Sequence, residues 1–321
     1  MQTAFLGDVL LCIPLLKALR FYHPESKIAL LCRKNLGEFF LLTGLVDTVI
    51  EVDKSSKSNL KLAFQKMKAF QPEVIISPHR SFRTALWAFR LKPKLSVGFL
   101  DLWSFFAYNR YVLRPEAKHD VLRQLSLLKG LRLSHTKLPA ETLTLNVQVK
   151  ENTKFEKYRN AVVIAPGSQW NTKQWTKEGY IEVAKMLVDE GHKIVLVGAP
   201  NEKKLCEEIS IEIQESVNLC GTTSIYELAQ VLKVSSLLIC NDSGAMHVAT
   251  TVGTPVVSIF GPTVQKQGFT PWSKKSKVIE AKLGCRPCGA HGHNQCPIGT
   301  HDCMKKIRPI RVHEAAVEFL A

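Results

Sequence analysis

Short, almost wholly apolar runs alternate with longer amphipathic segments along this chain, and the alternation occurs in two successive blocks. In the first block "KIALLC", "VDTVIEV" and "PEVIISP" have strand length and composition, while "GDVLLCIPLLKALRFY" and "NLKLAFQKMKAF" space their apolar residues as helices do. The second block repeats the scheme with "NAVVIAPG", "EGYIEVAKMLVDEGHKIVLVGA", "SIYELAQVLKVSSLLICND" and "GTPVVSIFGP". Strands that are apolar on both faces and separated by helices require parallel sheets with helices on both sides, which is an α/β architecture. At 321 residues the chain exceeds the usual size of a single core, and 45% apolar residues suffice for more than one. The polar stretch "VQVKENTKFEKYRN" is the linker candidate. The expectation is two Rossmann-like domains, 1–155 and 156–321, with their parallel sheets facing a cleft.

Ligands of such folds collect at the carboxyl ends of the strands, and both blocks place small-residue turns there. These are Leu6-Gly7-Asp8 and Ala165-Pro166-Gly167-Ser168. A third turn, "NDSGAMHV" at 241–248, follows the apolar run ending at Cys240 and opens a helix. A helix entrance of this kind offers unpaired N–H groups and the positive end of the helix dipole, so a phosphate is its natural occupant. On the residues alone, Asp242 or Ser243 could equally cap that helix, and His247 could be a satisfied core histidine. Neither block contains G-x-G-x-x-G or G-x-x-x-x-G-K-[ST], so dinucleotide and P-loop binding lack their signatures.

A net charge of +15 implies an anionic partner: nucleic acid, an acidic membrane surface or a phosphorylated substrate. The basic residues are dispersed, and no stacking-aromatic pattern of a nucleic-acid motif accompanies their densest patches, "KSSKSNLKLAFQKMK" and "WSKKSK". No run of about 18 uncharged apolar residues occurs. The N-terminal segment carries Asp8 and has neither a basic stretch ahead of its apolar run nor a small-residue cleavage site, which argues against a secretory signal and for a cytoplasmic protein. Nine cysteines fit that compartment as reduced thiols or metal ligands.

Several pieces of the chain, taken together and in order, resemble the bacterial ADP-heptose:lipopolysaccharide heptosyltransferases, glycosyltransferase family nine. They are "FLGDVLLCIPLLKALR", "HRSFRTALWA" at 79–88, "HDVLRQL" at 119–125, "APGSQWNTKQW" at 165–175, "LVGAPNE" at 196–202 and "CNDSGAMHVATTVGTPVVSIFGPT" at 240–263. The cysteine-rich "CRPCGAHGHNQCPIGTHDCM" at 285–304 is most similar to the heptosyltransferase II branch. The resemblance implies a GT-B fold and an inverting transfer of heptose from ADP-heptose to the inner core of lipopolysaccharide. Such a transfer needs a base for the acceptor hydroxyl, charge stabilisation on the departing diphosphate and a grip on the nucleoside.

By that resemblance Asp8 is the candidate base, since it matches the family's Gly-Asp position, although a helix-capping Asp8 is compatible with the same residues. Ser168, Thr172 and Lys173 offer the diphosphate two hydroxyls and a cation, alongside the backbone N–H groups of Ser243-Gly244-Ala245. With those donors, no cofactor is required for catalysis. Asp242 suits the donor sugar hydroxyls or the fixing of its loop, and His247 either a phosphate or the helix. Glu202, after a strand, is placed to accept from ribose hydroxyls. Thr222 and Thr223 lie where the family receives adenine. Arg80 and Arg83, expected one helical turn apart on one face, would bind acceptor carboxylates or phosphates. The net charge would hold the enzyme against an anionic membrane, peripherally at the inner face of the inner membrane. The alternatives are a transferase or epimerase for another nucleotide sugar, and a basic nucleic-acid-binding protein.

Two further expectations concern the ends. Family members have a longer apolar run ahead of Gly-Asp than "MQTAFL", so a start a few residues upstream would complete a central first strand. Cys285, Cys288, Cys296 and Cys303 are spaced C-x2-C-x7-C-x6-C, with histidines interleaved. Four thiolates could close a structural zinc site, and reduced thiols packed beside the donor site are the other reading.

Overall fold

The computed structural model describes residues 1–102 and 104–321. They form two compact units, Met1–Leu145 and Asn146–Ala321. Every strand pairing is parallel.

The first unit carries β1 (Ala29–Arg33), β2 (Thr48–Val52), β3 (Val74–Ser77), β4 (Leu95–Phe99) and β5 (Arg110–Val112). They make two sheets, β1-β2 and β3-β4-β5, where the sequence pattern suggests one. The N-terminal residues lie between the two: Gln2 N–H donates to Leu31 O at 2.9 Å, and the Met1 ammonium donates to Ile76 O at 2.6 Å. The chain then enters helix Leu6–Leu10 and, after a short break, helix Ile13–Tyr22, which turns Ile13, Leu15, Leu16 and Ala18 into the core. Helix Lys57–Phe70 begins where the Ser56 hydroxyl accepts from Asn59 N–H, a side-chain N-cap.

The second unit carries β6 (Val162–Ala165), β7 (Ile194–Leu196), β8 (Val217–Asn218), β9 (Leu237–Asn241), β10 (Val256–Phe260) and β11 (Ser276–Glu280) in one sheet of order β11-β10-β9-β6-β7-β8. The three central strands are buried at every position, which is why their sequences show no alternation. Helix Lys177–Asp189 buries Tyr180, Val183, Ala184 and Leu187, the spacing of one helical face, and starts at a Thr176 cap. Ser224 and Glu227 form a reciprocal capping box at the head of helix Ile225–Val234. The segment before β6 belongs with this unit: Val147 N–H donates to Thr251 O, and Lys150 N–H donates to the Tyr226 hydroxyl. No described helix is long and apolar enough to cross a membrane.

Candidate active site

In the second unit β9 ends on Asn241, an amide with no exposed surface. Its Nδ2 donates to Pro166 O at 2.8 Å and Gly167 O at 3.1 Å, while its Oδ1 accepts from Trp175 N–H at 2.9 Å. One side chain thus ties the turn after β6, the segment before helix Lys177–Asp189 and the end of β9 to one another. The next residue, Asp242, is also buried, and its Oδ2 accepts from Lys173 Nζ at 2.6 Å and from the Thr263 hydroxyl at 2.7 Å. The two charged side chains keep only 12% and 8% of their surface, so each holds the other in place. Beside them Ser243 leads into helix Gly244–Val252 with its own side chain making no capping bond, which leaves the first N–H groups of that helix to other acceptors. His247 is buried one turn in.

The carboxylate of Glu202 fills the space above two glycines. A Cβ at Gly167 would stand 2.0 Å from the Glu202 carboxyl carbon, and one at Gly198 would stand 2.8 Å from Glu202 Oε2. Oε2 accepts from Ala199 N–H at 2.7 Å, and burial raises the carboxyl pKa against that bond. Close by, Gly221 takes φ +69° and donates to Gly198 O, and the hydroxyl of Thr222 donates to Leu219 O. Thr223 follows on the same turn, half-buried.

The cysteine-rich segment lies on this site. The Thr172 hydroxyl donates to His293 O at 2.7 Å and accepts from His293 N–H at 2.8 Å, and His301 Nε2 donates to Thr172 O at 2.8 Å. Thr172 therefore spends its hydroxyl on the loop, while Ser168, buried, anchors Gln174 through its carbonyl. Arg286, which composition and spacing leave unremarked, pins the base of the loop: its guanidinium donates to the carbonyls of Phe260, Gly261, Thr263 and Ala281 and pairs with Glu280. His291 is near enough to Lys173 and Asp242 to respond to both charges, and burial and then Lys173 lower its pKa.

Of the two readings of the cysteine cluster, a zinc site and packed thiols, the zinc site is not supported. Among the described residues no group of three or more His, Cys, Asp or Glu is placed to hold a metal. Cys303 falls in helix Asp302–Lys305 and turns into the apolar core, where burial pushes its thiol up to about 11. Cys285 is exposed, Cys288 donates its S–H to Cys285 O, and Cys296 accepts from His301 N–H. A thiol packed among Ile and Met side chains serves the core and not a thiolate cage.

In the first unit Asp8 lies in the first turn of helix Leu6–Leu10, half-buried, and its Oδ2 accepts from Phe5 N–H at 3.2 Å. Asp8 is thus not the N-cap that the sequence suggests: Phe5 holds that position, and Asp8, three residues on, reaches back to its N–H. The peptide of Asp8 is held from behind by Gln124, whose Nε2 donates to Asp8 O at 3.2 Å and to the buried Asp120 at 2.6 Å. Arg114 completes the chain by donating to Asp120 at 2.8 Å.

Arg80 and Arg83 do not make the expected fork. Helix Phe82–Leu91 starts after Ser81, so Arg80 stands outside it and reaches Asp101 at 2.8 Å and Glu116 at 3.3 Å. Arg83 instead keeps company with Lys54, whose Nζ donates to Thr3 O at 2.6 Å. Burial first, then the charges of Arg33 and Arg83, lower the Lys54 pKa. His79 touches the same segment through Thr3 Oγ1 at 3.0 Å, and burial with the Lys54 charge lowers it to about 4. Arg33, Lys54 and Arg83 therefore form a cationic cluster beside the Thr3–Phe5 segment that precedes Asp8, and the Arg33 guanidinium lies 5.0 Å from the centre of the Phe5 ring.

Two α/β units with parallel sheets, one of them offering a helix entrance, a buried lysine–aspartate pair and a seated glutamate, describe a nucleotide-sugar transferase. The chain belongs to glycosyltransferase family 9 (heptosyltransferase), whose profile matches residues 61–298. It is 31% identical over 228 residues to lipooligosaccharide heptosyltransferase 2 of Campylobacter jejuni serotype O:2, covering 67% of each chain. With the enzyme of the same name from serotype O:6 it is 28% identical over 327 residues, 97% of this chain and 95% of that one. Its fold is similar to that of E. coli ADP-heptose lps heptosyltransferase II, with a TM-score of 0.80, 22% identity and coverage of 99% and 97%. The protein is a glycosyltransferase of the GT-B kind, and the epimerase and nucleic-acid alternatives give way to that membership.

Proposed function

We propose that the protein transfers heptose from ADP-heptose to the inner core of lipopolysaccharide as a heptosyltransferase II. The observation that carries the donor side is the buried Lys173–Asp242–Thr263 constellation beside the entrance of helix Gly244–Val252. Asp242 orients the ammonium and the helix offers N–H groups, so the leaving diphosphate meets a fixed cation and a positive dipole end without reorganisation. Ser168, Ser243, Gly244 and His247 complete the phosphate and sugar contacts, Glu202 accepts from the ribose, and Thr222 and Thr223 border the adenine. Names of relatives support the donor, since two of them are heptosyltransferases 2.

On the acceptor side Asp8 takes the proton of the attacking hydroxyl, and Gln124 positions it through its peptide. A carboxylate is a weak base, so its work falls to the moment of attack, when the hydroxyl proton is becoming acidic. Arg33, Lys54 and Arg83 receive the anionic groups of the core. The diphosphate charge is met by Lys173 and backbone donors, so turnover proceeds without a divalent cation, and EDTA leaves it unchanged.

The protein works in the cytoplasm, docked on the anionic inner face of the inner membrane. An exposed aromatic face on the first unit supports that docking: Phe82, Phe89 and Phe105 are 56%, 51% and 70% exposed, and all three rings stack around Phe106 at 5.7–6.1 Å. Sedimentation with anionic but not neutral vesicles checks it. The function itself is tested by incubating the protein with a panel of nucleotide sugars and truncated lipopolysaccharide acceptors and reading product masses. A heptosyl increment with ADP-heptose upholds it, and transfer of another sugar, or none, overturns it.

A further inference from the structure

The loop after β11 crosses the sheet of the second unit at a definite place. Cys288 N–H donates to Pro262 O at 2.8 Å and Gln267 Nε2 donates to Gly289 O at 3.0 Å, so one end is fastened to the segment that follows β10. The other end is fastened to Thr172, on the segment that follows β6. Thr172 donates to His293 O through both its N–H and its hydroxyl, and the hydroxyl accepts from His293 N–H. In the sheet β9 lies between β10 and β6. The stretch 289–292 therefore bridges two strand spacings, about 9.6 Å. It passes over the carboxyl end of β9, where Asp242 and the entrance of helix Gly244–Val252 stand. Gly292 makes the crossing close: it takes φ +79°, and a Cβ there would stand 3.0 Å from Thr172 Oγ1 and Pro262 Cγ and 3.5 Å from Lys173 Cγ. The preceding side chain, His291, is exposed.

We infer that residues 289–293 are a strap across the donor site and that the imidazolium of His291 binds the diphosphate of the nucleotide beside Lys173. The inference rests on the ADP-binding role proposed for this site. It supplies a charge the site otherwise lacks: Lys173 is already paired with the buried Asp242, so the two bring little net charge to a ligand with several negative ones. In the free protein the His291 ring holds its proton less readily than an open imidazole, first because it is partly sheltered and then because of the Lys173 ammonium, while Asp242 acts the other way. Lys266 follows β10, His247 is buried in the helix below, and His293 and His301 belong to the loop itself, His301 Nε2 being bonded to Thr172 O. A diphosphate arriving between Lys173 and the ring reverses the balance. Its charge favours the imidazolium, a proton enters from solvent, and the ring donates to a phosphate oxygen. During transfer the same contact strengthens as the leaving group gains charge.

Titration calorimetry with ADP tests this on the whole chain and on its His291→Gln, His291→Ala and His293→Gln variants. At about pH 6.5 both His291 variants should bind ADP roughly tenfold more weakly. Their melting temperature should not change, since the ring is exposed and the strap is held by its backbone. The loss should shrink towards nothing by about pH 8.5, where the imidazole stays neutral even beside the anion. Titrations in two buffers of different ionisation enthalpy should show the unmodified protein taking up more protons on binding than either His291 variant, because the titration of ADP itself is common to all. His293→Gln should match the unmodified protein. ADP affinity in the His291 variants within about twofold of the unmodified value, a loss equal at both pH values, or an equal loss in His293→Gln, overturns the inference and leaves the ADP site standing. Failure of the unmodified protein to bind ADP overturns both.

Discussion

In the second unit β6 and β9 lie side by side at the centre of six strands, buried at every position, whereas in the first unit the corresponding place between β1 and β3 holds only Met1 and Gln2. The same βα plan therefore yields a closed sheet in one half and a divided one in the other. The candidate donor residues of the second unit are fixed by buried polar side chains at the carboxyl ends of its strands: Asn241, Asp242 and Thr263. The candidate base of the first unit hangs on a short helix, steadied through its peptide by Gln124 and preceded by a segment held by Lys54 and His79.

The contrast can be broken at its rigid end first. Lys173→Ala leaves Asp242 buried beside the Thr263 hydroxyl without its cation, a loss on the order of 3–5 kcal/mol in the stability of the second unit, and it weakens ADP binding and turnover together. Chemical denaturation and calorimetry with ADP read both; a change confined to the acceptor KM would remove Lys173 from the donor site. Asn241→Ala deprives two carbonyls and one N–H of their partner, at about 2–3 kcal/mol. Its effect on ADP affinity should be larger than any change in acceptor KM, because the three bonds all lie in the donor unit.

The first unit should respond to pH through two groups. His79 is lowered to about 4 from 6.5 and the Met1 ammonium to about 6 from 8.0, so the unfolded chain binds more protons between these values. The stability they contribute is complete above pH 8 and is lost as pH falls, the ammonium's share through pH 6 and the histidine's towards pH 4. His79→Gln should flatten the lower part of that profile by on the order of 2 kcal/mol, measured by denaturation from pH 7 to pH 4. An unchanged profile would show that Thr3 and Lys54 do not constrain the ring. The smallest effect is expected at the cationic cluster: Arg83→Ala should raise the acceptor KM several-fold, about 1 kcal/mol, and leave ADP affinity unchanged, while Arg80→Ala, already paired with Asp101 and Glu116, should leave both.

What could be read from the sequence was set by whether meaning is local. The strands at the centre of the second unit are unbroken apolar runs between turn residues, so they were legible. Lys173 and Asp242 were singled out separately in the sequence but not as a pair, because they are separated by 69 positions and meet only when β6 and β9 adjoin. Arg80 and Arg83 were taken for one helical face, yet the helix begins at Phe82 and divides them. The C-x2-C spacing suggested a metal, while the fate of Cys303 depended on which face of helix Asp302–Lys305 met the core. Asn241, Gln124 and Arg286 were missed: Asn241 meets Trp175 and Gln124 meets Asp8 across more than sixty positions, and the carbonyls around Arg286 converge only in the folded loop. A signal existed for the first: an amide ending an apolar strand must find partners when buried.

The division of labour between the two units is tested most directly by Asp8→Asn, with ADP affinity and turnover measured on the same preparation. The account predicts ADP binding close to that of the unmodified protein and a kcat for heptose transfer reduced roughly a hundredfold or more. A kcat near the unmodified value, or an equal loss of ADP binding, would contradict it.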